Sequence, residues 1–200
     1  MVIPKYKKQF DKSKRKRIKT LIKEYGKIPL VDYDYKYQTF ELQCCLSVGL
    51  LLAVLNTASS LLELFIRDLV VINQLKKEKV KILQSSIKMK RGALNKKLGE
   101  IEKRIEEDRS MTFSKLIEIL EKEKAIKKGD KKELGKFYKY VRIPLSHGLI
   151  RRFVVKHDKG SRFIEKLLGT IDRFHNFEEV IEDFALDELE FILKIIRKYQ

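Results

Sequence analysis

Arg142 and His147 stand five positions apart, and Pro144 lies between them. A proline removes a backbone donor and disfavours the helical conformation at the residue before it. We therefore expect one helix to end at Arg142 and His147 to follow the break. The planar guanidinium of arginine donates paired hydrogen bonds to phosphate, and imidazole titrates near neutral pH and can move a proton. A phosphate clamp beside a proton shuttle is the minimum set of groups for cutting RNA without a metal.

The surroundings of this pair favour a functional interpretation. A helical pattern precedes Arg142, Gly148 follows His147, and a long apolar helix lies upstream. A second match to the same spacing, from Arg152 to His157, lacks this setting. The alternative is a structural loop pair, in which Arg142 stabilises a helix C-terminus and His147 binds a backbone carbonyl. Both interpretations stay open.

A polar stripe interrupts the long apolar helix. Asn56, Ser60, Glu63 and Arg67 are spaced four, three and four residues apart, so they share one helical face. In one interpretation Glu63 and Arg67 form an ion pair along the helix. In the other, Glu63 acts in catalysis beside His147, where it orients the imidazole or sets its pKa.

These motifs resemble the HEPN domains, an all-α family marked by Arg-x4-6-His, often with a glycine after the histidine. The segment Leu62–Arg67 is similar to a Leu-Glu-x-x-x-Arg-like segment of an early core helix. Thr112–Leu120 is similar to a helix that often leads toward the motif. The resemblance extends over residues 40–155. The chain departs from it at Ile143, where many active members carry Asn or Asp.

The resemblance implies an all-α helical bundle of HEPN type, with four to five core helices. It also implies a metal-independent endoribonuclease in which two protomers place their motifs side by side in one cleft. Arg142 would hold the scissile phosphate of RNA, and His147 would assist removal of the ribose 2′-hydroxyl proton. The expected partners are RNA and a second protomer, with no cofactor. If the chain is the toxin of a toxin–antitoxin or defence system, an antitoxin protein is a further partner.

The net charge of +17 is concentrated in two segments. Residues 1–27 hold eleven Lys and Arg against two Asp and Glu, and residues 76–104 hold eleven against three. Localised positive charge attracts polyanions, and counterion release drives their binding. A solvated lysine-rich surface is the other interpretation. The candidate nucleic-acid contacts are Lys14, Arg15, Lys16, Arg17, Ser146, Arg151 and Arg152.

Several classes of protein have no support in the sequence. The chain has no Gly-rich phosphate loop, no His-Glu-x-x-His and no carboxylate cluster, so we expect neither a metal site nor nucleotide hydrolysis. The adjacent Cys44 and Cys45 match neither a disulfide framework nor a zinc site. Polar residues interrupt the apolar helix, which argues against membrane insertion. With no signal-peptide pattern visible, we expect a reduced, cytoplasmic protein.

The order of elements follows from periodicity. We predict a basic N-terminal extension over residues 1–37, loose through residue 17 and helical from Ile18 to Tyr25, and a helical domain over residues 38–200. Two alternatives stay open for the aromatic residues at positions 33, 35, 37 and 40. They form an extended segment that stacks on bases, or they pack on the domain. A central helix spans residues 40–75 and a long basic helix spans residues 76–107.

The second half of the chain carries capping signals. Thr112 is a predicted N-cap, and Asp130 with Glu133 has the spacing of a capping box for a helix that runs to Val141. A last helix is predicted over residues 187–199, and acidic residues 178–190 are placed to neutralise a basic segment within the chain or across a dimer.

A second function of a different class fits the same features. A non-catalytic helical module that binds nucleic acid or a partner protein would use the uneven charge and would tolerate Ile143. Such a module predicts salt-sensitive binding without turnover. The sequence leaves open whether the chain is an enzyme.

Overall fold

The computed structural model describes residues 10–28, 33–84, 96, 99–101, 103–105, 107, 108, 110–146 and 174–200. This part of the chain is all-α, without strands, which confirms the predicted class for these residues. Its helices are α1 Lys12–Tyr25, α2 Tyr33–Val48, α3 Leu51–Gln84, α4 Phe113–Lys122, α5 Lys128–Phe137, α6 Ile143–Ser146 and α7 Phe174–Tyr199, with a π-helical turn at Tyr138–Arg142.

The chain forms two compact units, and their boundary falls inside α3. The first unit comprises Met1–Leu62 with Lys139–Gln200, and the second comprises Glu63–Tyr138. In the first unit, α1 packs on α2 and on α7. In the second unit, α4 packs on α5. The predicted basic extension and the last helix therefore lie in one unit, although their sequences are far apart.

Helix α1 begins earlier than its apolar pattern predicts. Asp11 adopts an extended conformation, and its carboxylate accepts a hydrogen bond from the backbone N–H of Lys14 at 2.8 Å, which caps the helix. Ile18, Leu21 and Tyr25 form the buried face, as predicted. The expectation of a loose lead-in is wrong for residues 12–17, because an N-cap and ion pairs to α7 hold this basic stretch in a helix.

Helix α7 is also longer than predicted, since it begins at Phe174 rather than at residue 187. Its described side chains bury one apolar face, formed by Leu186, Leu189, Ile192 and Ile196, each with no exposed area. Among its described acidic side chains, Asp183 and Glu190 are exposed and Glu182 and Asp187 are half-buried, as is usual for charges on an amphipathic helix.

Tyr25 ties α1 to α7. Its hydroxyl donates a hydrogen bond to the backbone carbonyl of Leu189 at 2.7 Å, and its ring is fully buried. Burial raises the pKa of Tyr25 well above its usual value. The folded protein therefore keeps the phenolic proton at a pH where the unfolded chain releases it.

We expect this linkage to produce a loss of stability at alkaline pH. The contribution of Tyr25 is complete below about pH 10, the pKa of an unfolded tyrosine, and declines as pH rises beyond it. Tyr25→Phe is expected to flatten that decline, at a cost of about 1 kcal/mol at pH 7 for the lost hydrogen bond. Urea unfolding from pH 7 to pH 11 measures both effects. Identical slopes in the two proteins above pH 10 would contradict this assignment.

A helix break at Gly49 separates α2 from α3. Gly49 has φ of 83°, a left-handed conformation that suits glycine. The N–H of Leu50 donates to the carbonyl of Cys45, and the N–H of Gly49 donates to that of Leu46, which is the Schellman pattern of a helix end. The prediction of one helix over residues 40–75 is therefore wrong at this point. Of the two alternatives for the aromatics at residues 33–40, the extended segment is wrong, since α2 begins at Tyr33, and Tyr35 packs in the core.

In the second unit, helix α3 continues to Gln84, so residues 76–84 belong to it and not to a separate basic helix. Helical residues at 99–101 and 103–105 contribute the buried Ile101 and Ile105. Two contacts from Glu123 anchor the end of α4 to α3: its carboxylate accepts a hydrogen bond from Asn73 and pairs with Lys77 at 2.7 Å.

The two capping predictions have opposite outcomes. The Thr112 hydroxyl accepts a hydrogen bond from the N–H of Lys115 at 3.3 Å, which confirms it as the N-cap of α4. Helix α5 begins at Lys128 after an N-cap at Lys127 that makes no side-chain hydrogen bond. The capping box at Asp130 is therefore wrong, because the helix has already begun two residues earlier.

None of the described helices combines the length and the apolar character that crossing a lipid bilayer requires.

Candidate nucleic-acid site

The chain does not break at the predicted position before Pro144. Helix α5 instead passes into the π-helical turn Tyr138–Arg142, and α6 follows directly. Pro144 lies in the first turn of α6, where a backbone N–H needs no partner within the helix. The π-helical turn ends at Arg142, where a helix end was predicted, but the predicted break is not seen, because α6 begins at the next residue and takes up the proline.

The π-helical turn places its residues on different surfaces. Val141 is buried, Arg142 is half-buried, and Ile143 keeps 37% of its surface exposed. The Lys139 ammonium lies 5.0 Å from the centre of the Tyr140 ring, a cation–π distance. Single π-turns within helices occur frequently at functional sites. Arg142 thus occupies the last position of an unusual backbone segment, immediately before the rest of the motif.

Of the other candidate residues in and after the motif, the structure describes only Ser146. Ser146 is exposed, and its hydroxyl donates to the carbonyl of Ile143 at 2.9 Å. His147, Arg151 and Arg152 lie outside the described residues. The pairing of Arg142 with His147 therefore stays a prediction, as do the roles of Arg151 and Arg152.

Glu63 forms the ion pair along the helix that the structural interpretation of the polar stripe predicted. Its carboxylate lies 3.7 Å from the Arg67 guanidinium, four residues further along α3. Arg67 also donates to the carbonyl of Ile105 at 3.4 Å. Within the same polar stripe, Ser60 donates to the carbonyl of Asn56 at 3.2 Å. Hydrogen bonds and an ion pair therefore engage Ser60, Glu63 and Arg67 of the polar stripe. A catalytic role for Glu63 stays a prediction.

The basic run at residues 14–17 is divided between two environments. Lys14 is buried, and its ammonium lies 3.1 Å from Glu182 and 3.4 Å from Asp183. Burial alone would lower the pKa of Lys14, but the hydrogen bonds and charges of the two acids outweigh it and raise that pKa. Carboxylates of α7 thus already neutralise the Lys14 charge, and its predicted role as a nucleic-acid contact stays a prediction.

Arg17 is half-buried and is also engaged by acids of α7, and its predicted role as a nucleic-acid contact stays a prediction. Its guanidinium pairs with Asp187 at 2.7 Å and with Glu190 at 2.8 Å. These contacts confirm that the acidic segment neutralises a basic one, and they do so within the chain. Arg15 and Lys16 are exposed, and their role as nucleic-acid contacts stays a prediction.

A more extensive basic surface lies on the outside of α1. The side chains of Lys12, Arg15, Lys16, Lys19 and Lys23 are all exposed. The four lysines follow the four-three-four spacing of one helical face, and Arg15 adjoins them. We call these five residues the basic face of α1. Because residues 1–17 were predicted to be loose, no helical face was expected to join Lys12 and Lys16 to Lys19 and Lys23, and only the run at residues 14–17 was singled out.

The described residues contain no group of three His, Cys, Asp or Glu side chains that could hold a metal ion. Cys44 is exposed and Cys45 is half-buried, and both are free thiols. Burial, with smaller effects from Glu41 and Cys44, raises the pKa of the Cys45 thiol. A thiol with a raised pKa is a poor nucleophile at neutral pH.

No protein-family model, curated protein or solved structure matches this chain. Over its described residues the protein is all-α, and one of its helices presents a continuous basic face. The HEPN resemblance remains a hypothesis based on the motifs alone.

Proposed function

We propose that the chain is an RNA-binding helical protein that cuts RNA by HEPN-type, metal-independent chemistry at Arg142 and His147. The observation that carries the RNA-binding part is the basic face of α1. Its five cations are exposed, whereas Lys14 and Arg17 of the same helix are paired with acids of α7. The paired residues hold α1 in place, and the exposed residues remain available to a polyanion.

The dimensions of this face suit a nucleic-acid backbone. Lys12 and Lys23 are eleven residues apart, which corresponds to about 16 Å along a helix. Cations distributed over that length contact several phosphates at once and release their counterions. Contacts of this kind fix the position of the strand but do not read its bases. We therefore propose that the basic face holds RNA with little sequence preference.

The proposed chemistry uses two side chains and no metal. His147 accepts the proton of a ribose 2′-hydroxyl, and the freed oxygen attacks the adjacent phosphorus. Arg142 stabilises the negative charge that develops on the phosphoryl oxygens. The bond to the 5′-oxygen breaks, and that oxygen takes a proton from water while His147 releases its own, which leaves a 2′,3′-cyclic phosphate and a 5′-hydroxyl. Support comes from the motif and from the π-helical turn that ends at Arg142.

Salt dependence tests the RNA-binding surface. We expect the triple variant Lys12→Gln, Lys16→Gln and Lys19→Gln to lower the slope of log affinity against log salt by about 2, given about 0.7 per phosphate contact on a single strand. Fluorescence anisotropy with a labelled single-stranded RNA at several salt concentrations measures this slope.

The matched control removes three exposed lysines from the second unit, Lys122, Lys128 and Lys132. It changes the net charge equally, so it reports the effect of overall charge alone. An equal change of slope in both triple variants would show that RNA does not select the basic face. Circular dichroism checks that both variants keep their helices.

A non-catalytic binding module is the second candidate function. It is favoured by Ile143, which leaves an apolar, partly exposed side chain directly after Arg142. Salt-sensitive binding of RNA without any cleaved product would support this alternative. If the chain is instead a toxin, its expression should arrest growth, and His147→Ala or co-expression of an antitoxin partner should relieve the arrest.

A further inference from the structure

Helix α2 is apolar on two opposite sides. Its inner side buries Tyr35, Leu42 and Leu46 within the first unit. Its outer face carries Tyr37, Phe40, Cys44 and Val48, spaced three, four and four residues apart. Tyr37 is 68% exposed and Phe40 is 65% exposed, and Val48 and Cys44 are exposed as well.

Such a helix is unusual on a protein surface. A surface helix normally has one apolar stripe and one polar side, and a contiguous exposed apolar patch marks an interaction site. Leu50, which follows the helix break, is 54% exposed and extends the patch at one end. The outer face of α2 therefore has the composition of an interface and not of a solvated surface.

We infer that the outer face of α2 binds the same face of a second copy of this chain, with the two helices side by side and parallel. Tyr37, Phe40 and Cys44 have the three-four spacing of a coiled-coil seam, in which Tyr37 and Cys44 take the a positions and Phe40 takes the d position. Val48 follows at an e position beside the seam. This inference depends on exposed apolar residues and not on the proposed nuclease chemistry, so the two proposals can fail separately.

The charges beside the outer face of α2 favour a second copy of the chain as the binding partner and favour a parallel orientation of the two helices. Lys36 and Glu41 are exposed on opposite flanks of the outer face. They occupy g and e positions, and parallel pairing places Lys36 of one copy against the partner's Glu41. Antiparallel pairing would bring equivalent flanks together, so Glu41 would meet the acidic flank of the other copy. The face is therefore self-complementary in the parallel arrangement.

The apolar area indicates a contact of modest strength. A buried aromatic side chain removes roughly 150–250 Å² from water. Tyr37 and Phe40 of two copies, each about two-thirds exposed, would together bury on the order of 400–600 Å². A stable interface buries about 1,200–2,000 Å², so Val48, Leu50 and the flanks must supply the rest. We expect reversible self-association at micromolar concentration.

Cys44 offers a direct test of the geometry. At an a position next to the two-fold axis, it meets the partner's Cys44 within about the 4.4–6.8 Å Cα separation that a disulfide requires. In the full-length Cys45→Ser variant, mild oxidation without RNA is expected to give a disulfide-linked dimer. The matched Cys44→Ser variant, which keeps Cys45, is expected to give none. Non-reducing electrophoresis and analytical ultracentrifugation measure the two outcomes.

Charge exchange provides an independent test. Lys36→Glu is expected to weaken self-association at least tenfold, because two acidic flanks then meet. The double variant Lys36→Glu with Glu41→Lys restores opposite charges and is expected to recover the dimer. Phe40→Glu places a charge in the seam and should leave a monomer with unchanged circular dichroism.

Three results would overturn the inference. The wild-type chain could remain monomeric up to about 100 μM, well above the micromolar range expected. The dimer could persist unchanged in Phe40→Glu. Alternatively, RNA could protect Tyr37 and Phe40 in a monomeric chain, which would identify the outer face as a base-stacking surface.

Discussion

In the presence of chelator, the wild-type chain is expected to cut single-stranded RNA, and His147→Ala is expected to lose at least a hundredfold of that rate. Positioned proton transfer contributes about 10²–10⁴-fold to catalysis, and this variant removes the proposed base. Arg142→Ala is expected to lose about 10²–10³-fold, because the developing phosphoryl charge loses its donor. Arg142→Lys should recover only part of the rate, since an ammonium keeps the charge but not the paired donors.

The substrate makes the test specific to the proposed chemistry. DNA of the same sequence and RNA methylated at the 2′-oxygen should both resist cleavage, because neither has the attacking hydroxyl. The products should carry a cyclic phosphate at one end and a 5′-hydroxyl at the other. His147→Ala should still bind RNA with the wild-type salt slope, which separates chemistry from binding. Equal cleavage by wild type and by both alanine variants would identify a contaminating nuclease and reject the site.

Local signals in the sequence predicted several elements correctly. Thr112 caps α4, and Phe113, Leu116 and Leu120 form its buried face. The apolar residues of α1 were also identified, although its first turn was not. These features depend on residues three or four positions apart, so a single sequence contains the information that determines them.

Other features depend on distant residues, and the sequence alone did not predict them. Helix α1 is extended through Lys14 because Glu182 and Asp183, about 170 positions away in the chain, neutralise that residue. The long apolar run conceals the end of α2, because Gly49 resembles any other glycine until its left-handed conformation is known. The π-helical turn before Pro144 reflects backbone geometry for which no simple residue pattern exists.

The candidate site shows the same division. The composition predicted that the basic N-terminal segment attracts a polyanion, but it did not predict which of its cations are exposed. Acids of α7 pair with Lys14 and Arg17, and the helical periodicity of α1 places Lys12, Lys19 and Lys23 on its exposed side. For Tyr37 and Phe40 the sequence left two alternatives, an extended segment that stacks on bases or packing on the domain. Their outward direction follows only once α2 is known to be a helix packed on its opposite side.

The second large effect is expected at Lys14, which anchors α1 to α7. Only 9% of its side chain is exposed, and the Glu182 side chain is 12% exposed. Lys14→Ala would leave a mostly buried carboxylate without its partner, so we expect the free energy of unfolding to fall by about 3 kcal/mol. Lys16→Ala, an exposed residue of the same helix, is the matched control and should change it by less than about 0.5 kcal/mol.

A double-mutant cycle separates the ion pair from the packing of the lysine stem. Lys14→Met keeps the apolar stem, and Glu182→Gln removes the charge of its partner. If the pair is coupled as the 3.1 Å contact indicates, the double variant should be more stable than the sum of the single effects predicts, by about 1–2 kcal/mol. Because the pKa of Lys14 is raised, its stabilisation persists at neutral pH and is lost as pH rises above about 10. Strict additivity of the two substitutions at pH 7 would mean that apolar contacts alone hold α1 on α7.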